Sequence, residues 1–181
     1  AVDPHVTEAD FRSVNDLNDE SYDSALLCIP DDTKLELISY FLTRGKHVLV
    51  EKPILAEKSA DLEALMKLAR ENRVTCYTAY NHRFEPHIVG LKEVLEKGVL
   101  GDIHLVQMFY GNGTARDVRN SLWRDQGMGV LPDLGSHILD TILFLFGQSD
   151  YVAEPWSFNC FENKAYDHVL FGLRDGHTLF E

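Results

Sequence analysis

A chain of 181 residues with 45% hydrophobic and 25% charged side chains has the composition of an ordinary soluble globular protein, long enough for one large domain or two small ones. Its formal net charge of −12 argues against sequence-independent nucleic-acid binding, which relies on Lys and Arg neutralising phosphates, and disfavours anionic membrane surfaces. The most apolar window, residues 138 to 147, is too short to span a bilayer and no signal segment opens the chain, so the sequence reads as soluble and cytoplasmic.

Residues 1 to 32 hold nine Asp or Glu against Arg12 alone, which reads as a solvated face. "YDSALLCIP" (22 to 30) is a compact apolar run closed by Pro30 and predicts a buried strand. Asp31, Asp32 and Thr33 then supply N-cap chemistry for a helix carrying Leu35, Leu37, Ile38, Phe41 and Leu42, which Gly45 ends. "HVLVEKP" is the second strand. "EKSADLEALMKLAREN" is an amphipathic helix with Leu62, Leu65, Met66 and Ala69 on one face, and "RVTCYTAYNHRF" (73 to 84) is the third strand. Strands alternating with helices over short connections imply a parallel sheet with crossover helices. Each strand is too apolar for a sheet wet on one face. Cys28, Cys76 and Cys160, odd in number and each in a strand-like context, read as reduced core thiols rather than a disulfide framework or a metal site.

After Phe84 the texture changes, which sets a domain boundary between 84 and 85. "PHIVGLKEVLEKGVLG" predicts a helix and "DIHLVQMFYGNG" a long alternating strand. A loop rich in Gly, Arg and Asn follows (111 to 129), then a very apolar helix from about Pro132 to Phe146. The remainder reads as antiparallel strands turning at Glu162-Asn163 and Asp175-Gly176.

Two places could carry chemistry. On the apolar helix, Asp133, Ser136, His137 and Asp140 fall within an arc of roughly 100°, with Gly135 among them. Asp133 lies four residues before His137, so its carboxylate can orient the ring and raise its basicity, as a general base requires. The same pair is equally consistent with a buried network that satisfies only itself. A zinc site lacks third and fourth ligands beyond His82 and Asp140. The other place is Lys52, at the carboxyl end of a buried parallel strand, the edge where open α/β sheets bind ligands. Pro53 fixes the turn after it, and Asn81 and Arg83 close the next strand, giving Lys, Asn and Arg on one rim. Trp123 and Arg124, in the Gly-rich loop, could cover such a rim, and Trp123 could equally serve only to anchor the loop.

"DSALLCIPDDTKLELISYFLTRGKHVLVEKPI", "AYNHRF" and "WRDQGMGVLPDLGSHILDTILFLFG" closely resemble the glucose–fructose oxidoreductase, inositol dehydrogenase and rhizopine-catabolism (Gfo/Idh/MocA) family, in order from about Asp23 to Gly147. The resemblance implies an α/β fold: the C-terminal portion of a Rossmann (parallel, doubly wound) domain over 1–84, then a truncated α+β domain with a largely antiparallel open sheet over 85–181. It implies an oxidoreductase passing hydride between a sugar, polyol or sugar-nucleotide CH–OH group and NAD or NADP, assembled as a homo-oligomer. Relatives of the same fold also include NAD-dependent redox glycoside hydrolases and non-catalytic binding proteins. By the same resemblance Lys52 bonds the substrate hydroxyl and His137 takes its proton with Asp133 as partner. Ile29, Pro30, Glu51, Lys52 and Arg83 lie along the cofactor, Asn81, Trp123 and Arg124 lie near the substrate, and the Lys52–Pro53 bond is expected to be cis.

Two departures stand out. The family often has Thr-Pro-Asn-x-x-His where this chain reads Ile29-Pro30-Asp31-Asp32-Thr33-Lys34, which weakens that part of the cofactor contact. No G-x-G-x-x-G loop, the pyrophosphate-holding turn of such domains, occurs in the 181 residues. Together with the strand-like ends "AVDP" and "HTLFE", this implies a partial sequence of a longer enzyme.

Overall fold

The computed structural model describes residues 1–113, 118–120, 125 and 127–181. They divide into two compact units, Ala1–Ala79 and Tyr80–Glu181, a few residues ahead of the boundary expected at 84/85.

In the first unit, β1 (Ser24–Leu27), α1 (Asp31–Thr43), β2 (His47–Val50), α2 (Ser59–Glu71) and β3 (Cys76–Thr78) alternate as predicted. The three strands are parallel in the order β1-β2-β3, and Ala25, Val48 and Cys76 stand in one row across them. Side chains alternate in a strand, so Leu27, Val48 and Val50 face α1 and α2 and close a core with Ile38, Phe41, Leu42 and Ala69. Ile38, Leu42 and Val50 are fully buried, each contributing about 2 kcal/mol of apolar burial. Leu26, Leu49 and Tyr77 form the opposite row and are exposed. Within the described residues α1 and α2 pack on one face of the three strands, and the apolar composition of the strands alone does not say which segments cover the other.

Local chemistry differs from expectation at several points. α1 begins at Asp31 with Pro30 in the N-cap position and no side-chain cap, so Asp31 and Asp32 complement the helix dipole from inside the first turn. Cys28 and Cys160 are exposed and only Cys76 is half-buried; all three are free thiols. The third strand ends at Thr78, and Asn81–Phe84 is a 3-10 turn that leads into Pro86 at the start of the next helix.

In the second unit, α3 (Pro86–Glu96) and β4 (Leu105–Val106) precede a π-helical turn, Leu131–Gly135, which runs into α4 (Ser136–Phe146). Then come β5 (Val152–Asn159), β6 (His168–Arg174) and β7 (Leu179–Phe180). The sheet order is β4-β7-β6-β5, antiparallel except for β4 against β7. The strand expected after residue 102 is assigned over Leu105–Val106 alone, with flanking ladder bonds from Leu179 N–H to His104 C=O and from Met108 N–H to Glu181 C=O. α4 lies on this sheet: Ile142 packs with Leu173 and Phe180, flanked by Ile138, Leu139 and Phe146.

Candidate active site

The Glu51-Lys52-Pro53 stretch leaves β2 at the carboxyl edge of the first sheet, next to the Ile29-Pro30 exit from β1. Glu51 N–H donates to Leu27 C=O at 2.9 Å, which ties the two exits together. The Lys52–Pro53 bond is cis, and Lys52, Pro53 and Ile29 are half-buried while Glu51 and Pro30 are exposed. Underneath lies Lys34, only 2% exposed. Its ammonium donates to Asp31 Oδ1 at 2.6 Å, Pro53 C=O at 2.9 Å and Lys52 C=O at 3.2 Å. Lys34, noted in the sequence only as a departure from a family pattern, is thus an anchor of the lysine turn; no periodicity or spacing signals that role.

Asp31 and Asp32 crowd the α1 N-terminus with negative charge, which suits hydroxyl-bearing or neutral groups and opposes a phosphate. The glycine turn that would hold a pyrophosphate has no counterpart among the 181 residues.

In the second unit, His137 sits in the first turn of α4 and is 7% exposed. Three rings close around it: His82 at 4.6 Å between centroids, Tyr110 at 5.6 Å and Tyr80 at 5.9 Å, all edge-on. Thr141 Oγ1 donates to His137 C=O at 2.7 Å and holds that turn of helix. Burial pushes the Tyr80 phenol pKa up, with Asp140 adding to the rise while a hydrogen bond from Ser136 and the Arg83 charge oppose it. His82 Nδ1 is paired with the Glu85 carboxylate, whose other oxygen meets His87 Nε2 at 2.9 Å. His82 Nε2 is buried and has no hydrogen-bond partner among the described residues. The aromatic surround was not legible in the sequence, because Tyr80 and His82, Tyr110, and His137 come from three segments with no periodicity in common.

The polar stripe on the apolar helix is real but unevenly buried. Asp140 and His137 are buried, Ser136 is half-buried, and Asp133 is exposed in the π turn, one helical turn before His137. Asp140 receives both prongs of Arg83, so the residue expected along the cofactor is engaged within its own unit. The expected rim of Lys52, Asn81 and Arg83 is divided: Lys52 belongs to the first unit, whereas exposed Asn81 and half-buried Arg83 belong to the second. Trp123 and Arg124 lie outside the described residues. A Cβ on Gly135 would meet only side chains, Leu131 Cδ1 at 2.9 Å and the Phe171 ring at 3.9 Å, so that glycine eases packing of the helix. Among the described residues no group of three or more His, Cys, Asp or Glu is arranged to hold a metal ion, and no helix is long and apolar enough to cross a membrane.

A lysine turn at the carboxyl edge of a parallel sheet in the first unit, and a buried helix histidine on the mixed sheet of the second, define an α/β chain with two candidate sites. Residues 3–80 match the family model described as "Oxidoreductase family, NAD-binding Rossmann fold", and residues 88–165 match the "GFO/IDH/MocA C-terminal domain". The scyllo-inositol 2-dehydrogenase (NADP(+)) of Bacillus subtilis is 32% identical over 133 residues, 72% of this chain and 36% of that protein. The inositol 2-dehydrogenase of Rhizobium meliloti is 26% identical over 70% of this chain and 37% of its own length. The crystal structure of an inositol dehydrogenase homologue from Azotobacter vinelandii, complexed with NADH and myo-inositol, superposes with a TM-score of 0.76 at 21% identity, covering 87% of this chain and 43% of that one. The chain belongs to the GFO/IDH/MocA oxidoreductase family. It spans little more than a third of the length of the two dehydrogenases it matches.

Proposed function

We propose that the full-length protein containing this chain is an NAD(P)-dependent dehydrogenase that oxidises a CH–OH group of a polyol or sugar, with a cyclic polyol of the inositol kind as the first candidate. The observation that carries the reading is His137: an imidazole buried on the polar stripe of a largely apolar helix and ringed by Tyr80, His82 and Tyr110. A buried titratable ring enclosed by aromatic side chains is a candidate for acid–base chemistry. Relatives named as inositol dehydrogenases support the substrate class.

In this reading His137 takes the proton of the reacting hydroxyl, with Asp133 as its charge partner, and Lys52 donates a hydrogen bond to the same oxygen. The nicotinamide, when bound, supplies the hydride acceptor. Ile29, Pro30, Glu51 and Arg83 line the cofactor, and Asn81, Trp123 and Arg124 contact the substrate. Aromatic walls exclude water from the imidazole and fix its plane, so that its proton acceptor is aimed before substrate arrives. Homo-oligomeric assembly belongs to the same reading.

The test is oxidation of myo-inositol and scyllo-inositol by the full-length protein with NAD+ and with NADP+. Lys52→Ala and His137→Ala should each lower kcat by about 100-fold or more while the protein stays folded. Near-normal turnover in both variants would sink the assignment. Release of free sugar from a glycoside without net NADH would redirect it to a redox hydrolase.

A further inference from the structure

An ammonium is rarely buried as deeply as that of Lys34, and the first turn of a helix is the wrong end for a cation. An apolar side chain of the same length would fill the space without burying a charge. What the ammonium adds is a set of bonds. Its three N–H groups meet three acceptors: Asp31 Oδ1, which balances the charge, and the carbonyls of Lys52 and Pro53. Those carbonyls belong to consecutive peptide groups. Holding the first sets ψ of Lys52, and holding the second prevents the turn from swinging as a unit.

We propose that Lys34 is a positioning residue for Lys52, clamping the turn after β2 onto the first turn of α1 so that the Lys52 side chain leaves the backbone in one direction. Asp31 is the counter-anchor that keeps the Lys34 ammonium in place. The proposal rests on the reading that Lys52 meets the substrate, and it extends that reading to a residue outside the expected site.

The test uses the full-length protein, with Lys34→Met to remove the donors at constant length and Asp31→Asn to loosen the anchor. Because Asp31 is exposed at 41% of its side chain, Asp31→Asn keeps the proposal testable should Lys34→Met not fold. The reactive lysines, half-buried Lys52 among them, are dimethylated with 13C-formaldehyde, and the Lys52 resonance is assigned by its loss in Lys52→Ala. We expect that resonance to move towards the position of freely rotating lysines in both variants; an unchanged resonance overturns the proposal. With myo-inositol and NAD+, Lys34→Met should lower kcat/KM by roughly 10- to 100-fold. In the Lys52→Ala background it should add nothing, because two residues acting as one unit are non-additive. A full additional loss there would mark Lys34 as merely structural and overturn the proposal. Normal turnover in Lys52→Ala alone would instead overturn the role given to Lys52, leaving the resonance to decide on Lys34.

Discussion

Arg83 and Asp140, 57 positions apart, meet in a two-pronged ion pair with Nε to Oδ2 at 2.7 Å and Nη2 to Oδ1 at 2.5 Å. The carboxylate is almost fully buried and the guanidinium is 30% exposed. The pair fastens the Asn81–Phe84 turn to α4 and so sets where His82 lies against His137. Removing Arg83 leaves a buried charge uncompensated. Arg83→Met should therefore cost about 3 kcal/mol, the low end for such pairs given the remaining solvent contact. Arg83→Lys should recover less than half of it, since an ammonium cannot supply the fork. Thermal or denaturant unfolding of the three proteins measures both, and equal stability of wild type and Arg83→Met would refute the account.

Gly129 has φ of +56°, and a Cβ there would stand 2.0 Å from Tyr166 O. Val130 N–H donates to that same carbonyl at 2.8 Å, so the close approach is built into the chain path before the π turn. Gly127, two residues earlier with φ of +59°, has no atom of the described residues within 4 Å of its absent Cβ. Gly127→Ala should cost only the left-handed backbone penalty of about 1 kcal/mol, whereas Gly129→Ala must also move Tyr166 and should cost at least about 2 kcal/mol more. Comparable melting temperatures for the two variants would contradict this.

Asp167 organises the β5–β6 connection by accepting N–H groups of Phe161 at 2.8 Å, Glu162 at 2.5 Å and Asn163 at 3.0 Å. Desolvation pushes its pKa up, but the backbone bonds outweigh that and the net value lies below 3.8. A carboxylate depressed in the folded state stabilises it above the unfolded pKa, and that contribution disappears as pH falls through the folded value. The amide resonances of Phe161, Glu162 and Asn163 should therefore hold their positions down to pH of about 4 and shift together below it. In Asp167→Asn that common acid transition should be gone; its persistence would assign it to another group.

The three thiols should separate by reactivity. Cys28 and Cys160 are exposed, while burial raises the Cys76 pKa and disfavours its thiolate. A thiol reagent at pH 8 should label two cysteines quickly and Cys76 at least about tenfold more slowly, as peptide mass spectrometry would read. Equal rates at all three would mean that β3 opens easily.

The strand and helix alternation of the first unit was legible because burial imposes periods on the chain: Ala25 with Leu27, and Val48 with Val50, repeat on twos, and Ile38, Phe41 and Leu42 on threes and fours. Lys52 and His137 were legible too, one by its place after an apolar run and the other as a polar residue inside an apolar helix. Other features depend on contacts between segments far apart in the chain, for which periodicity carries no signal. The Arg83 fork on Asp140, the rings of Tyr80, His82 and Tyr110 about His137, and the exposure of Leu26, Leu49 and Tyr77 are of this kind. Lys34 marks the dividing line most clearly. Its neighbours in sequence make it a solvent-facing lysine of a helix first turn. Only the path of the chain after β2 brings two carbonyls within 3.2 Å of it and turns a surface charge into a buried tie.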